Sequence, residues 1–423
     1  MLLPSPVVVA GAADTSSQRP AYEVADVVRA YGAACLRTHP TSHAQRRVLR
    51  AIARCRTALL GGHVAGCDRC GYRRIAYNSC GNRHCPKCLA AHSVRWLAAE
   101  QAMLLPVPYF HVVFTLPHEL NALVRVNRRR LYALLFRAAA ATLRTFALAP
   151  RYLGAEPAVT MVLHTWGQTL TEHVHVHCVV SGGGLALDAS AWISLPTGTK
   201  KRRRPFLFPV AALSEVFRGK YLAGLRCART RGQLRFAGNS AALADPLQWQ
   251  HLLAALASRA WVVYCKRPFA GPAQVLTYLS HYTHRVAIAN RRLLFVGHGV
   301  VRFVYRDYAA HDGLKEMALA APEFLRRFLL HVVPRGFMRI RHYGLTANRH
   351  RQEKLQRCRE LPGVEPAAPL STDSPPTPAA AEHPRSSDSS PTLCPNCGAP
   401  LRIIEILPVS GRDPLAPASP DTS

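Results

Sequence analysis

Along the chain the spacing of apolar residues switches between a helical period and a strand period. From Tyr22 to about Cys55 apolar residues recur at helical spacing, with Arg46, Arg47, Arg50, Arg54 and Arg56 between them and no acid among those arginines. VPYFHVVFTL, Val107 to Leu116, is β-rich, carries no charge and ends at Pro117, the composition of a fully buried strand. A long helix is expected from about Glu119 to Phe146, with Leu120, Leu123, Val124, Leu131, Leu134 and Leu135 on one side and Arg125, Arg128, Arg129 and Arg130 elsewhere. Ala158 to Trp166 predicts a strand, Gly167 to Glu172 a turn, and His173 to Val180 its antiparallel partner, closed by the turn glycines Gly182, Gly183 and Gly184. Further helices are predicted from about Pro209 to Thr230 and from Pro246 to Ala257, and a short strand at Trp261 to Tyr264. Gly271-Pro272 opens another helix, proline suiting the first turn. Leu293 to Val296 and Val300 to Tyr305 form a second hairpin about Gly297-His298-Gly299.

In the first hairpin, His173-Val-His175-Val-His177 alternates histidine with an apolar residue. Alternate side chains leave a strand on one face, so the three imidazoles share a face. Neutral ring nitrogens bind metal ions, and a strand fixes their direction. The competing reading is a set of histidines on a solvated sheet face.

Charge narrows the partners. The chain of 423 residues has 54 Lys and Arg against 24 Asp and Glu, a net charge of +30, which concentrates polyanions at the surface. Nucleic acid is the expected partner. No apolar run approaches the roughly twenty residues of a membrane span. The opening residues imitate a signal peptide only weakly, lacking a basic start and carrying Pro4 and Pro6, so a cytoplasmic protein is expected. Lys200 to Arg204 forms a basic loop, and Phe324 to Arg357 forms a second basic surface that includes Arg339 and Arg341 and has Glu353 as its one acid.

Seven of the thirteen cysteines lie between Cys35 and Cys88, a density that argues for metal in a reducing compartment. Cys67-Asp-Arg-Cys70 and Cys85-Pro-Lys-Cys88, fourteen residues apart, predict one tetrahedral zinc site, since each short turn presents two thiolates. Cys55, His63, Cys80 and His84 interleave with these four and are lesser candidates, for a second zinc or a different choice of ligands. Cys394-Pro-Asn-Cys397 is half of a zinc ribbon with no downstream partner, read as an orphan or degenerate knuckle or as a working site.

Tyr278 and Tyr282, at i and i+4, project from one helix face beside His281, His284 and Arg285. An apolar core stripe with Val275 and Leu279 is the competing reading. A tyrosine can act as a covalent nucleophile. A histidine-held metal can polarise a phosphate oxygen. With the basic charge, these parts specify phosphoryl transfer on DNA.

The Cys67 to Cys88 segment ending in NRHCPKC, the PYFHVVFTLP run, HVHVHCVVSGGG and Tyr278-x3-Tyr282-Thr-His-Arg together resemble the insertion-sequence ninety-one family of transposases, over roughly residues 22 to 358. The resemblance implies an α+β fold with an HUH endonuclease core, an antiparallel sheet flanked by helices, joined to a small N-terminal zinc-binding module and followed by a disordered C-terminal linker. It implies a metal-dependent, rolling-circle route in which single-stranded DNA, at element ends and target, is nicked to leave a 5′-phosphotyrosine and a free 3′ hydroxyl. His175 and His177 match the HUH pair, and Tyr278 and Tyr282 match the two nucleophiles. The third ligand is open among Gln168, His164, which would face His175 across the hairpin, and His173. The ion is Mg²⁺ or Mn²⁺, and Zn²⁺ belongs to the N-terminal module. DNA contacts are expected from His281, His284, Arg285, Arg339 and Arg341. Neither membrane nor small-molecule substrate is expected, and the location is the bacterial cytoplasm at the nucleoid. The expected organisation is a disordered start (1–20), an N-terminal helix with the zinc-binding domain (21–100), the catalytic domain (101–310), a basic helical DNA-binding extension (311–358), a disordered linker (359–392) and a degenerate knuckle with tail (393–423).

Three readings compete. A replication initiator or relaxase would use the same chemistry, and a zinc-dependent DNA-binding regulator would lack it. A small-molecule metalloenzyme explains neither the charge nor the tyrosines.

Overall fold

The protein's structure, a computed structural model, describes residues 20–195, 207–265, 274–275, 287–307, 313–362, 364, 393–411 and 415. Residues 1–19, Lys200 to Arg204, the tyrosine segment 276–286 and the linker stretch 365–392 lie outside the described residues. The fold is α+β. A six-stranded antiparallel sheet holds β3 (Tyr109–Thr115), β4 (Glu156–Trp166), β5 (Glu172–Leu185), β6 (Trp192–Ser194), β7 (Val263–Cys265) and β11 (Ile340–Gly344). Its order is β11-β4-β5-β3-β7, with β6 on β5. Two smaller sheets are three-stranded. One joins β8 (Leu293–Gly297), β9 (Val300–Asp307) and β10 (Gly313–Ala320), and the other β1 (Gly62–Gly66), β2 (Arg73–Tyr77) and β12 (Arg402–Leu407).

The expected first hairpin forms, with His164 opposite His175 and Val162 opposite His177. Gly167 N–H donates to the Thr171 carbonyl at 2.9 Å, and Leu170 takes φ of +62° to close the turn. The strand does not stop at Gly182. A Cβ on Gly183 would come within 2.7 Å of the Trp192 ring, and one on Gly184 within 2.6 Å of the Glu156 carbonyl, so these glycines allow neighbouring strands to approach rather than turn the chain.

Each face of the sheet has its own core. Val112, Phe114, Met161, Leu163, Val174, Val176 and Cys178 face α5 (Arg128–Ala147) and α6 (Val210–Thr230), packing with Leu131, Leu135, Phe136, Phe217 and Tyr221. On the opposite face Val162 and Val179 pack with Leu105, Tyr109, Val275 and Leu355. The single helix expected from Glu119 divides into α4 (Asn121–Val126) and α5 at Asn127. There the Asn127 side-chain amide donates to the Arg235 carbonyl and accepts from its N–H, both at 2.8 Å.

The N-terminal helical pattern forms α1 (Val24–Thr38) and α2 (His43–Arg54), interrupted at Pro40. Ser42 and Gln45 close a capping box at the start of α2. Both helices share a second core with Leu293, Phe303, Phe324, Leu325 and Phe328, so the N-terminal unit is built with residues beyond 287 rather than alone.

Residues 311–358 differ from the expected helical extension. β10 pairs with β9, helix Ala321–Leu330 follows, and β11 joins the edge of the central sheet beside β4 before helix Arg351–Glu360. The sheet therefore does not end near residue 310. Ile340-Arg-His-Tyr-Gly344 has strand-forming residues between basic ones, and the charge hides its period.

His331 braces the first hairpin. It is buried, its Nε2 lies 3.1 Å from the Leu170 carbonyl and its Nδ1 3.2 Å from Thr165 Oγ1. Burial, above all, depresses its pKa from 6.5 to about 4. The unfolded chain therefore takes up this proton first, and stability present above pH 6.5 is lost as pH falls towards 4. The loss is on the order of 3 kcal/mol for this group. Denaturant unfolding of His331→Gln is expected to show a shallower loss over that range than the parent. Equal slopes would mean that His331 is not held neutral by the fold.

Candidate active site and metal centres

Strand β5 places His175 and His177 on one face, and β4 brings His164 beside them. One ligand nitrogen from each of the three lies within 4.8 Å of the others, and all three residues are buried. The His164 ring centre is 4.4 Å from that of His177 and 5.4 Å from that of His175. The pKa of His175 is held well below the usual histidine value, first by burial and then by His177. That of His177 is likewise depressed by burial and then by His164. Both are therefore neutral rings, the form that binds metal.

Proton bookkeeping narrows what the cluster can hold. His175 Nδ1 donates to the His173 carbonyl at 2.7 Å, which leaves Nε2 with its lone pair. His177 Nε2 is 3.0 Å from that nitrogen. Two lone pairs cannot face each other at that distance, so either a proton or a cation lies between them. His111 makes both states available, because its Nε2 is 2.9 Å from His177 Nδ1 and the two rings stack 5° from parallel. If His111 donates, His177 Nε2 carries the bridging proton; if His177 Nδ1 donates, its Nε2 is free for a cation. His111, on β3, sits within the uninterrupted apolar run VPYFHVVFTL. Its one sequence signal is a histidine at the centre of a buried strand.

The remaining expected residues are distributed as follows. Gln168 occupies the hairpin turn, where its carbonyl accepts from Arg292 at 2.5 Å. His173 is exposed, with its ring centre 4.7 Å from that of His175. Tyr278, His281, Tyr282, His284 and Arg285 lie outside the described residues, but Val275, three positions before Tyr278, is buried in the core on the histidine-bearing face of the sheet. Arg341 lies on the other face, stacked 4.4 Å over the Phe136 ring and 5.1 Å over that of Phe337. Arg339 has its pKa pulled down to about 10, by burial and then by Arg83.

The cysteines depart from the expected single zinc site. Cys85 and Cys88 converge with Cys55 and Cys80, whereas Cys67 and Cys70 converge with Cys394 and Cys397. The two expected knuckles therefore do not share an ion. The first lies at the turn of the β1–β2 hairpin, while the second starts α3 (Pro86–Met103) against the C-terminal end of α2, where Cys55 is the cap. Sulfur separations in the Cys55 group are 3.5 to 3.6 Å. Hydrogen bonds from Cys55, Cys80 and Cys85 drive the Cys88 thiol far down, towards the thiolate that a metal requires. His84 is a structural residue. Its Nε2 accepts from the Val333 N–H at 3.2 Å, and burial lowers its pKa to about 3. His63 sits in β1 opposite Ala76 and Ile406, outside both thiol groups.

The antiparallel sheet with its histidine cluster, joined to a thiol-rich N-terminal module, agrees with the comparisons, which place the chain among transposases. Residues 27–116 match the family described as "Transposase zinc-binding domain", and residues 158–354 match the one described as "Putative transposase". "Putative transposase y4qJ" of Sinorhizobium fredii is 50% identical over 354 residues, covering 84% of this chain and 87% of that protein. "Transposase for insertion sequence element IS801" of Pseudomonas savastanoi pv. phaseolicola is 28% identical over 298 residues, covering 70% and 68%. No solved structure matches the chain. The chain belongs to the insertion-sequence ninety-one family of transposases and carries that family's N-terminal zinc-binding domain. Among the described residues no helix is long and apolar enough to cross a membrane.

Replacing Cys55 and Cys80 by Ser is expected to remove one zinc per chain and to lower the thermal midpoint by several degrees, because Cys55, Cys85 and Cys88 lie inside the second core. Cys227→Ser, at an exposed position, should change neither. Metal analysis and melting curves decide between them, and unchanged zinc in the double variant would refute this ligand group.

Proposed function

We propose that this transposase nicks and rejoins single-stranded DNA through a 5′-phosphotyrosine in rolling-circle transposition, with Tyr278 and Tyr282 as nucleophiles and His164, His175 and His177 as ligands of a divalent ion. The observation that carries the reading is the convergence of three buried imidazoles on one sheet face, two of them, His175 and His177, held neutral by burial. A divalent ion there would draw charge from a non-bridging phosphate oxygen and orient the scissile bond. Three imidazoles favour Mn²⁺ over Mg²⁺ on ligand softness, and Gln168 in the adjoining turn is the second candidate for the third position.

In the nicking step the tyrosine phenol gives up its proton as its oxygen attacks phosphorus, the bond from phosphorus to the 3′ oxygen breaks, and that oxygen takes up a proton to leave as a hydroxyl, so no net proton is gained or lost. Attack by a 3′ hydroxyl on the phosphotyrosine rejoins the strand and restores the phenol. Two phenols a helical turn apart can take successive strands. Val275, three positions before Tyr278, is buried on the histidine-bearing face of the sheet. His281, His284 and Arg285 beside the tyrosines are assigned to backbone phosphates, while Arg339 and Arg341 add charge from within the fold. A net charge of +30 suits a DNA partner at the nucleoid.

With Mn²⁺ or Mg²⁺ and an oligonucleotide from an element end, the protein is expected to become covalently attached to the 5′ end of the released fragment. The adduct should vanish in the Tyr278→Phe, Tyr282→Phe double variant; its persistence there would overturn the nucleophile assignment. His175→Ala with His177→Ala should abolish nicking while leaving most DNA binding. His111→Ala, which removes the partner of His177, should weaken Mn²⁺ binding by roughly 10- to 100-fold, read by titration.

A further inference from the structure

Cys67-Asp-Arg-Cys70-Gly71 and Cys394-Pro-Asn-Cys397-Gly398 fold into the same turn, although their facing cysteines are 324 and 330 positions apart. In each, the glycine N–H donates to the carbonyl of the first cysteine, at 3.0 Å from Gly71 and 2.9 Å from Gly398. In each, the first cysteine's N–H donates to the carbonyl of the residue after the glycine, at 2.9 Å to Tyr72 and 2.7 Å to Ala399. Both glycines have φ of +72°, and a Cβ on either would meet nothing within 4 Å. Glycine is there for its backbone conformation, not for room. A turn built twice, with two sulfurs presented each time, is a pair of zinc knuckles.

The two turns face each other. Cys67 and Cys397 sulfurs are 3.5 Å apart, as are those of Cys70 and Cys394, and all four lie within 4.8 Å of one another. A tetrahedron with zinc–sulfur bonds of about 2.3 Å has edges of about 3.8 Å, whereas a disulfide would need about 2.05 Å. Backbone pairing holds the same join, since β12 runs antiparallel to β1 from Gly62 opposite Leu407 to Gly66 opposite Arg402.

Apolar burial does not explain why β12 stays there. Ile75 of β2 and Ile403 and Ile406 of β12 are 56%, 61% and 72% exposed, so the small sheet has almost no core. Its ion pairs, Arg402 with Asp68 and Arg73 with Glu405, are exposed and weak. We propose that Cys67, Cys70, Cys394 and Cys397 bind a second zinc ion, which fastens the C-terminal segment to the N-terminal zinc-binding domain. On binding, the thiols release their protons to solvent and no redox change occurs.

Metal analysis of the full chain, purified in reductant, should find one zinc fewer per chain in Cys394→Ser, Cys397→Ser than in the parent, and the same deficit in Cys67→Ser, Cys70→Ser. Unchanged zinc in either double variant overturns the site. A second measurement does not depend on the variants folding. The full chain with a protease site inserted between residues 376 and 384 is cut under reducing conditions and passed over a sizing column. The C-terminal fragment should co-elute with the body in zinc and separate after a thiol-competing chelator. A fragment that separates with zinc present, or stays after chelation, refutes the zinc fastening.

Discussion

The candidate active site depends on the register of β4 on β5. His164 meets His175 and His177 because the hairpin turns about Leu170, and a slip of one residue would send both β5 imidazoles to the opposite face. Val174, Val176 and Cys178 lock the register, since the same slip would drag them out of their core against α5 and α6. The apolar residues between the histidines thus fix where the ring nitrogens point. Adjacent elements reinforce the turn: His331 reaches the Leu170 carbonyl, and Arg292 reaches that of Gln168.

Burial on both faces gives the cluster its chemistry as well as its position. Four buried imidazoles packed together cannot all charge, so the layer favours neutral rings whose protons are placed by their partners. The His173 carbonyl determines the tautomer of His175, while His111 leaves that of His177 adjustable.

Much of this is legible in the sequence because it is local. Alternation in HVHVH gives the shared face, the position of the turn gives His164 as the partner of His175, and Pro246 to Ala257 is a helix as its period predicts. What escapes is tertiary or masked. His111 is one polar residue in an apolar run and gains meaning only from its neighbour on β5. The helical period continues unbroken through Asn127, and the break is visible only in its bonds to Arg235. Three glycines after a strand read as a turn, although here they allow close approach inside it. The regular spacing of Cys67, Cys70, Cys85 and Cys88 suggests one ion, because nothing local in the chain reveals that Cys394 and Cys397 return to the hairpin.

That return bears on how the molecule is made. Cys67 and Cys70 leave the ribosome more than 300 residues before the cysteines that face them. At typical synthesis rates the interval is on the order of tens of seconds. Throughout it β1 presents a bare edge and two thiols without the cysteines that face them, whereas all four cysteines of the Cys55 group have been made by residue 88. The small sheet is therefore completed only once synthesis has passed Leu407, and a product that terminates before β12 keeps an open strand edge exposed to pairing with other chains.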